Sequence, residues 1–196
     1  FYLKDHNISR IKPHDLADRG IARTFQNIEL FKNMTVLDNL ILGRHRLRHS
    51  NLIAEILFIK SVQKQEIESR NKTEEIIDFL DLEAYRDQRV INLPYGVQKT
   101  VELARALAME PQLLLLDEPS SGLNVEETED LSFWLMDIKE ELGITILLVE
   151  HNMRLVMNIC RRICVLNYGE KIAEGTPAEI KGSKTVVEAY LGKRKQ

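Results

Sequence analysis

Hydrophobic positions follow two patterns along this chain: short continuous runs and helical spacing. Leu113–Leu116 and Ile144–Val149 are unbroken apolar runs, as expected of strands buried on both faces of a parallel sheet. Between them, Val125–Leu142 has the length of a helix and is closed by Gly143, so the three segments read as one strand–helix–strand unit. Upstream, Leu93-Pro94-Tyr95-Gly96 leads into a helix to about Met109. Its inner side carries Val101, Leu103, Ala104 and Leu107, and Pro111 follows its end.

Nearer the start, Phe1–Leu3 reads as the end of a strand and Lys4–Asn7 as a polar turn. A short helix opened by Pro13 and closed by Gly20 precedes a brief strand at Ile21–Phe25. Thr35 with Asp38 makes a capping-box pattern for a helix to about Leu47. Residues 52–80 are helical in pattern, with Ile67, Ile76, Ile77 and Leu80 as the apolar face of the second half. Residues 35–95 or so therefore form a helical block between two α/β portions, 1–34 and 96–196. In the last portion, Met153–Cys160 is a helix and Arg162–Leu166 a strand. Asn167-Tyr168-Gly169 turns into a second strand through Ala173, and helical turns run to Lys193-Arg194-Lys195.

A length of 196 residues suits one domain, or one with a small subdomain. The 27 basic and 30 acidic side chains leave a net charge of −3, which argues against a protein that coats nucleic acid. No apolar run approaches the roughly 18 residues of a membrane span. Cys160 and Cys164 are too few for a disulfide framework and are read as reduced, semi-buried apolar residues. The opening Phe1-Tyr2-Leu3-Lys4-Asp5 has neither a Met nor a signal-peptide pattern, and reads as the interior of a longer sequence.

The polar residues that follow the strands carry the chemistry. Ligands of an open parallel sheet bind beyond the carboxyl ends of its strands. Leu113–Leu116 ends in Asp117-Glu118 and Ile144–Val149 ends in Glu150-His151, so acids and a histidine emerge on one edge. Four apolar residues followed by Asp-Glu is the Walker B pattern, in which one carboxylate holds Mg²⁺ and the next orients or deprotonates water. A core strand ending in two solvated acids has the same pattern. Gly96 lies at a helix start, where free N–H groups favour an anion, though an ordinary helix start after a Pro turn looks alike. His45 and His49 have metal-ligand spacing, but no carboxylate or Cys completes the set. Arg44, Arg46 and Arg48 read as a solvated basic face, and Trp134 as a packing residue.

The order of these elements is more telling than any one of them. Gln26, then Leu93-Pro94-Tyr95-Gly96-Val97-Gln98, then Leu113–Pro119, then Ser120-Ser121-Gly122-Leu123-Asn124, then Val149-Glu150-His151 resembles the ATP-binding subunits of ABC transporters. Gly20–Gln26, Met34–Leu40, Asn92–Gly96, Thr145–His151 and Ala189–Gly192 resemble those of branched-chain amino-acid importers. The resemblance implies a mostly parallel α/β sheet of the P-loop NTPase type, with the helical block as an inserted subdomain in a RecA-like core. It implies Gln26 as the Q-loop glutamine near Mg²⁺ and water, Asp117 as the Mg²⁺-supporting acid and Glu118 as the catalytic base. His151 would be the switch histidine on the γ-phosphate. Tyr95, Gly96, Val97 and Gln98 match the signature motif that contacts ATP on a second subunit, and Ser120, Ser121, Gly122, Leu123 and Asn124 match the D-loop.

The implied ligands are ATP and Mg²⁺. The implied partners are a second ATP-binding subunit and transmembrane permease subunits, with no nucleic acid. The implied place is the cytoplasmic face of the inner membrane, as a peripheral subunit. Three departures stand out. The signature has no serine, Asn124 stands where Asp is common, and no G-x-x-x-x-G-K-[ST] occurs in the chain. The last makes a catalytically silent interaction module one alternative, beside a lipid or lipopolysaccharide exporter and a chromosome-maintenance ATPase. In the expected reading, the phosphate-cradling segment lies upstream of Phe1 and this chain alone is inactive.

Overall fold

The computed structural model describes residues 2–3, 6–8, 10–12, 15–47 and 60–192. The chain divides into two compact units, Phe1–Val149 and Glu150–Gln196.

In the first unit, β1 (Tyr2–Leu3) and β2 (His6–Asn7) pair antiparallel, so Asn7 lies in a strand and not in a turn. A 3₁₀ turn at Ala17–Arg19 ends at Gly20, whose φ of 74° is the left-handed conformation that glycine adopts without strain. The central sheet has the order β3 (Ile21–Arg23), β4 (Leu113–Asp117), β5 (Thr145–Val149), all parallel. Leu114 and Leu116 of β4 are fully buried, as a central strand requires. The expectation that β5 is buried on both faces is not met, because Leu147 and Val149 are each 59% exposed. Among the described residues β5 has a neighbour on one side only, and its outward face is open.

Helix α1 (Val36–Gly43) starts at the Thr35–Asp38 capping box and continues as a 3₁₀ turn, Arg44–Leu47. Helix α2 spans Lys60–Phe79, and α3 spans Tyr95–Leu107. Helix α1 packs against both, burying Val36, Leu40, Ile77, Leu80, Val101 and Ala104. Ile67, expected on this apolar face, is exposed: the packed stripe begins only further along α2. Arg44 also departs from expectation, since it is buried and not part of a solvated face. Its guanidinium donates to Ser69 Oγ at 3.2 Å, to the Ala108 carbonyl at 3.1 Å and to Glu110 Oε1 at 2.9 Å, tying the end of α1 to α2 and to the end of α3. His45 is exposed, and His49 and Arg48 lie outside the described residues. Helix α4 (Val125–Glu140) returns from β4 and buries Leu131, Leu135 and Ile138.

The second unit holds α5 (Met153–Ile159), a β6–β7 hairpin (Ile163–Asn167 and Glu170–Gly175), α6 (Pro177–Gly182) and α7 (Lys184–Gly192). Leu155, Val156, Ile163, Ile180 and Val186 form its core. Cys160 is half-buried and Cys164 is exposed, and neither is in a disulfide. Cys164 faces outward because burial alternates along β6. Among the described residues, no helix is long and apolar enough to cross a membrane.

Candidate functional site

Parallel pairing puts the carboxyl ends of β3 and β4 side by side. Beyond the last paired residues, the Thr24 amide donates to the Leu115 carbonyl at 3.0 Å and the Glu118 amide to the Val149 carbonyl at 2.9 Å. Two side-chain contacts then join the strand tips. Gln26 Nε2 donates to Glu118 Oε2 at 3.0 Å, and an Arg23 guanidinium nitrogen lies 3.1 Å from Asp117 Oδ2. Arg23 also lies over the Phe25 ring, 4.8 Å from its centroid. Glu118 has a φ of 47°, an uncommon conformation for a residue with a side chain and one that concentrates at functional sites.

The loop after Glu118 is a series of tight turns. Ser121 N donates to the Glu118 carbonyl at 3.1 Å and Leu123 N to the Ser120 carbonyl at 3.2 Å. Gly122, with φ of 82°, lies so close to the Tyr95 ring that a Cβ would come within 2.7 Å of Tyr95 Cε1. Tyr95 Oη in turn donates to the Ser121 carbonyl at 3.4 Å. Asn124 caps α4: its side chain accepts from the Glu127 amide, and Glu127 accepts from the Asn124 amide, each at 2.9 Å.

Helix α3 differs from α1 and α4 at its start, because its N-cap, Pro94, makes no side-chain hydrogen bond to the first turn. Gly96 lies in that turn, and Gln98 folds back to donate to the Leu93 carbonyl at 2.8 Å. Val97 is half-buried. Thus Gln26, Asp117 and Glu118 come together, and Tyr95 meets Ser121 and Gly122. His151 belongs to the second unit. Its side chain is 74% exposed, and its amide donates to Glu150 Oε2 at 2.8 Å.

The donor set at the strand tips fits Mg²⁺. Asp117, Glu118 and the Gln26 amide offer hard oxygens, and Mg²⁺ is held by one or two carboxylates plus substrate phosphates. Among the described residues, no three His, Cys, Asp or Glu side chains cluster tightly enough to hold a metal by themselves. Asp117 already attracts a cation here, the Arg23 guanidinium.

Three partners of the site escaped the sequence reading. Arg23, Lys99 and Glu127 lie beside motif residues, but the pairing of Arg23 with Asp117 needs the strand register. Lys99 and Glu127 need the packing of α3 on the loops around it.

Residues 2–121 match the family model described as ABC transporter. BraF of Pseudomonas aeruginosa, a high-affinity branched-chain amino acid transport ATP-binding protein, is 36% identical over 190 residues, which cover 97% of this chain and 74% of BraF. The chain belongs to the ABC transporter family. LivG of Escherichia coli, with the same description, is 35% identical over the same shares. LptB of Acidithiobacillus ferridurans, a lipopolysaccharide export ATP-binding protein, is 30% identical over 97% of this chain and 73% of its own. Residues 170–195 also match a model described as a branched-chain amino acid ATP-binding cassette transporter. The crystal structure of the ADP conformation of an ATP-binding cassette of an ABC transporter superposes with a TM-score of 0.79. It is 31% identical, over 97% of this chain and 76% of that one. This ABC transporter chain has the α/β fold of such cassettes.

Proposed function

We propose that this chain belongs to the ATP-hydrolysing subunit of an importer for branched-chain amino acids. The observation that carries the reading is the 3.0 Å contact between Gln26 Nε2 and Glu118 Oε2 at neighbouring strand tips. Glu118 has the place and chemistry to take a proton from an attacking water, with the Gln26 amide holding that water in line. Asp117 and Gln26 are the residues that hold Mg²⁺, which when bound neutralises phosphate charge. His151 contacts the γ-phosphate. The uncapped start of α3, with Tyr95, Gly96, Val97 and Gln98, serves the ATP of a second subunit, and Ser120–Asn124 lies at the seam between the two.

Residues 35–95 act as the helical subdomain that faces the permease subunits, on the cytoplasmic side of the inner membrane. The BraF and LivG likenesses support branched-chain amino acids as cargo. The LptB likeness favours lipopolysaccharide export as the second reading. Deleting the gene in its host separates them. Loss of labelled leucine, isoleucine and valine uptake is the expected result, and normal uptake with an export defect overturns it.

A further inference from the structure

Lys99 lies in the second turn of α3 and is only 7% exposed. Its ammonium donates to the Gln26 carbonyl at 2.9 Å and lies 6.0 Å from the centre of the Tyr95 ring. A buried ammonium is costly unless it is paired, and here its hydrogen-bonded partner is the main chain of the residue whose side chain reaches Glu118. Glu102, three residues on, is 3% exposed and faces the same loop. Burial pushes its carboxyl up, opposed in part by the charge of Lys99 and by the amides of Glu29 and Phe25. Its Oε1 has no hydrogen-bond partner. Both residues line a cavity of about 130 Å³ shared with Thr24 and Gly96. One helix face thus sets the Lys99 ammonium on the Gln26 carbonyl and the Glu102 carboxyl toward the Phe25 and Glu29 amides of the same loop.

We propose that Lys99 is a positioning residue for Gln26: it holds the Gln26 main chain so that the side-chain amide stays on the Glu118 carboxylate. The proposal rests on the reading of Gln26 and Glu118 as the hydrolytic pair. Because Gly96 lies in the first turn of α3, the same lysine fixes the distance between that turn and the Gln26 loop within one chain.

The test compares Lys99→Met, which keeps the stem without the charge, with Lys99→Arg, which restores a cationic donor. In the native protein, Lys99→Met is expected to lower kcat on the order of tenfold, the value of one charge-assisted hydrogen bond, with KM for ATP and the melting temperature little changed. Lys99→Arg recovers most of kcat. In the same protein, hydrogen exchange at the Phe25 and Glu29 amides rises in Lys99→Met and returns in Lys99→Arg. If Lys99→Met does not fold, Lys99→Leu, which likewise cannot donate, takes its place.

Unchanged kcat and exchange in Lys99→Met overturns the proposal, as does a loss of ATP binding in parallel with melting temperature, which marks a structural staple. Gln26→Ala, run alongside, tests the underlying reading. If Gln26→Ala keeps full kcat, the hydrolytic pair is wrong whatever the exchange data give.

Discussion

The carboxylate of Glu127 lies directly against Gly96, so that a Cβ at Gly96 would overlap Glu127 Oε1. The same carboxylate accepts from the Asn124 amide as half of the α4 capping box. The start of α3 and the start of α4 are therefore one packed feature, and the glycine is required by this contact whatever else it does.

Gly96→Ala is expected to destabilise the chain. Helix propensity favours alanine by about 1 kcal/mol, but forcing Glu127 aside costs about 1–3 kcal/mol. In a Glu127→Ala background the obstruction is gone and Gly96→Ala becomes neutral or stabilising. A double-mutant cycle by urea unfolding reads this coupling, and additive effects would contradict it. Gly96→Asp adds a second negative charge beside Glu127, so it is expected to lose stability and, on the proposed role of α3, ATP-dependent dimerisation as well. Its effect on dimerisation is cleanly read only with Glu127→Gln.

The Asn124 side chain is engaged as the N-cap of α4, a place that Asp fills as readily. Asn124→Asp should leave stability within about 0.5 kcal/mol, whereas Asn124→Ala should cost about 1 kcal/mol. Equal melting temperatures for Asn124→Ala and the parent would show the cap to be unimportant.

Local chemistry made much of this fold legible. The capping pattern at Thr35 and Asp38 and the apolar run ending at Asp117 each correspond to an observed boundary within two residues, and the Gly143 stop lies three residues past the last helical residue, Glu140. What escaped depends on long-range packing. Arg44 reads as a solvated cation until α2 and the end of α3 close over it. Leu147 and Val149 read as core, but their outward face is uncovered among the described residues. The motif residues were visible from type and order. The contacts that position them, Lys99 on Gln26 and Glu127 on Gly96, join segments far apart in the chain, and no spacing rule reaches that far.

The ion pair between Glu74 and Arg86 should give the chain an acid-sensitive tie between α2 and the segment after it. Two Arg86 nitrogens contact the Glu74 carboxylate, and these bonds hold its carboxyl below the usual 4.5. The unfolded chain therefore binds more protons in the window below 4.5, and stability from this pair is present above it and lost as pH falls through the lowered value. Arg86→Met should melt earlier than the parent at pH 7, with the gap closing in acid. A gap that is constant with pH would mean that the pair contributes through packing alone.

The 196-residue chain expressed alone is expected to hydrolyse no ATP above background. The backbone cradle and lysine of a G-x-x-x-x-G-K-[ST] segment supply most of the grip on phosphate in such enzymes, and no such segment occurs in these residues. Steady ATPase activity from the purified chain, surviving Glu118→Gln, would indicate a contaminant. Activity abolished by Glu118→Gln would show that the cradle is dispensable.

In the native protein, Glu118→Gln and Asp117→Asn should fail in different ways. Glu118 is held by the Gln26 amide at 3.0 Å, and glutamine in its place keeps the size and accepts that bond but cannot take a proton. ATP binding should therefore persist while kcat falls by about 10²–10⁴, the typical contribution of a general base. Asp117 faces the Arg23 guanidinium. Removing its charge leaves that cation beside the position where Mg²⁺ must be held, so Asp117→Asn should weaken Mg²⁺-dependent nucleotide binding itself. Titration with a fluorescent ATP analogue, with and without Mg²⁺, separates the two outcomes from turnover. If Glu118→Gln turns over like the parent, the base is elsewhere. If Asp117→Asn binds Mg²⁺–ATP normally, Arg23 is a structural partner of Asp117 and the metal is held by other residues.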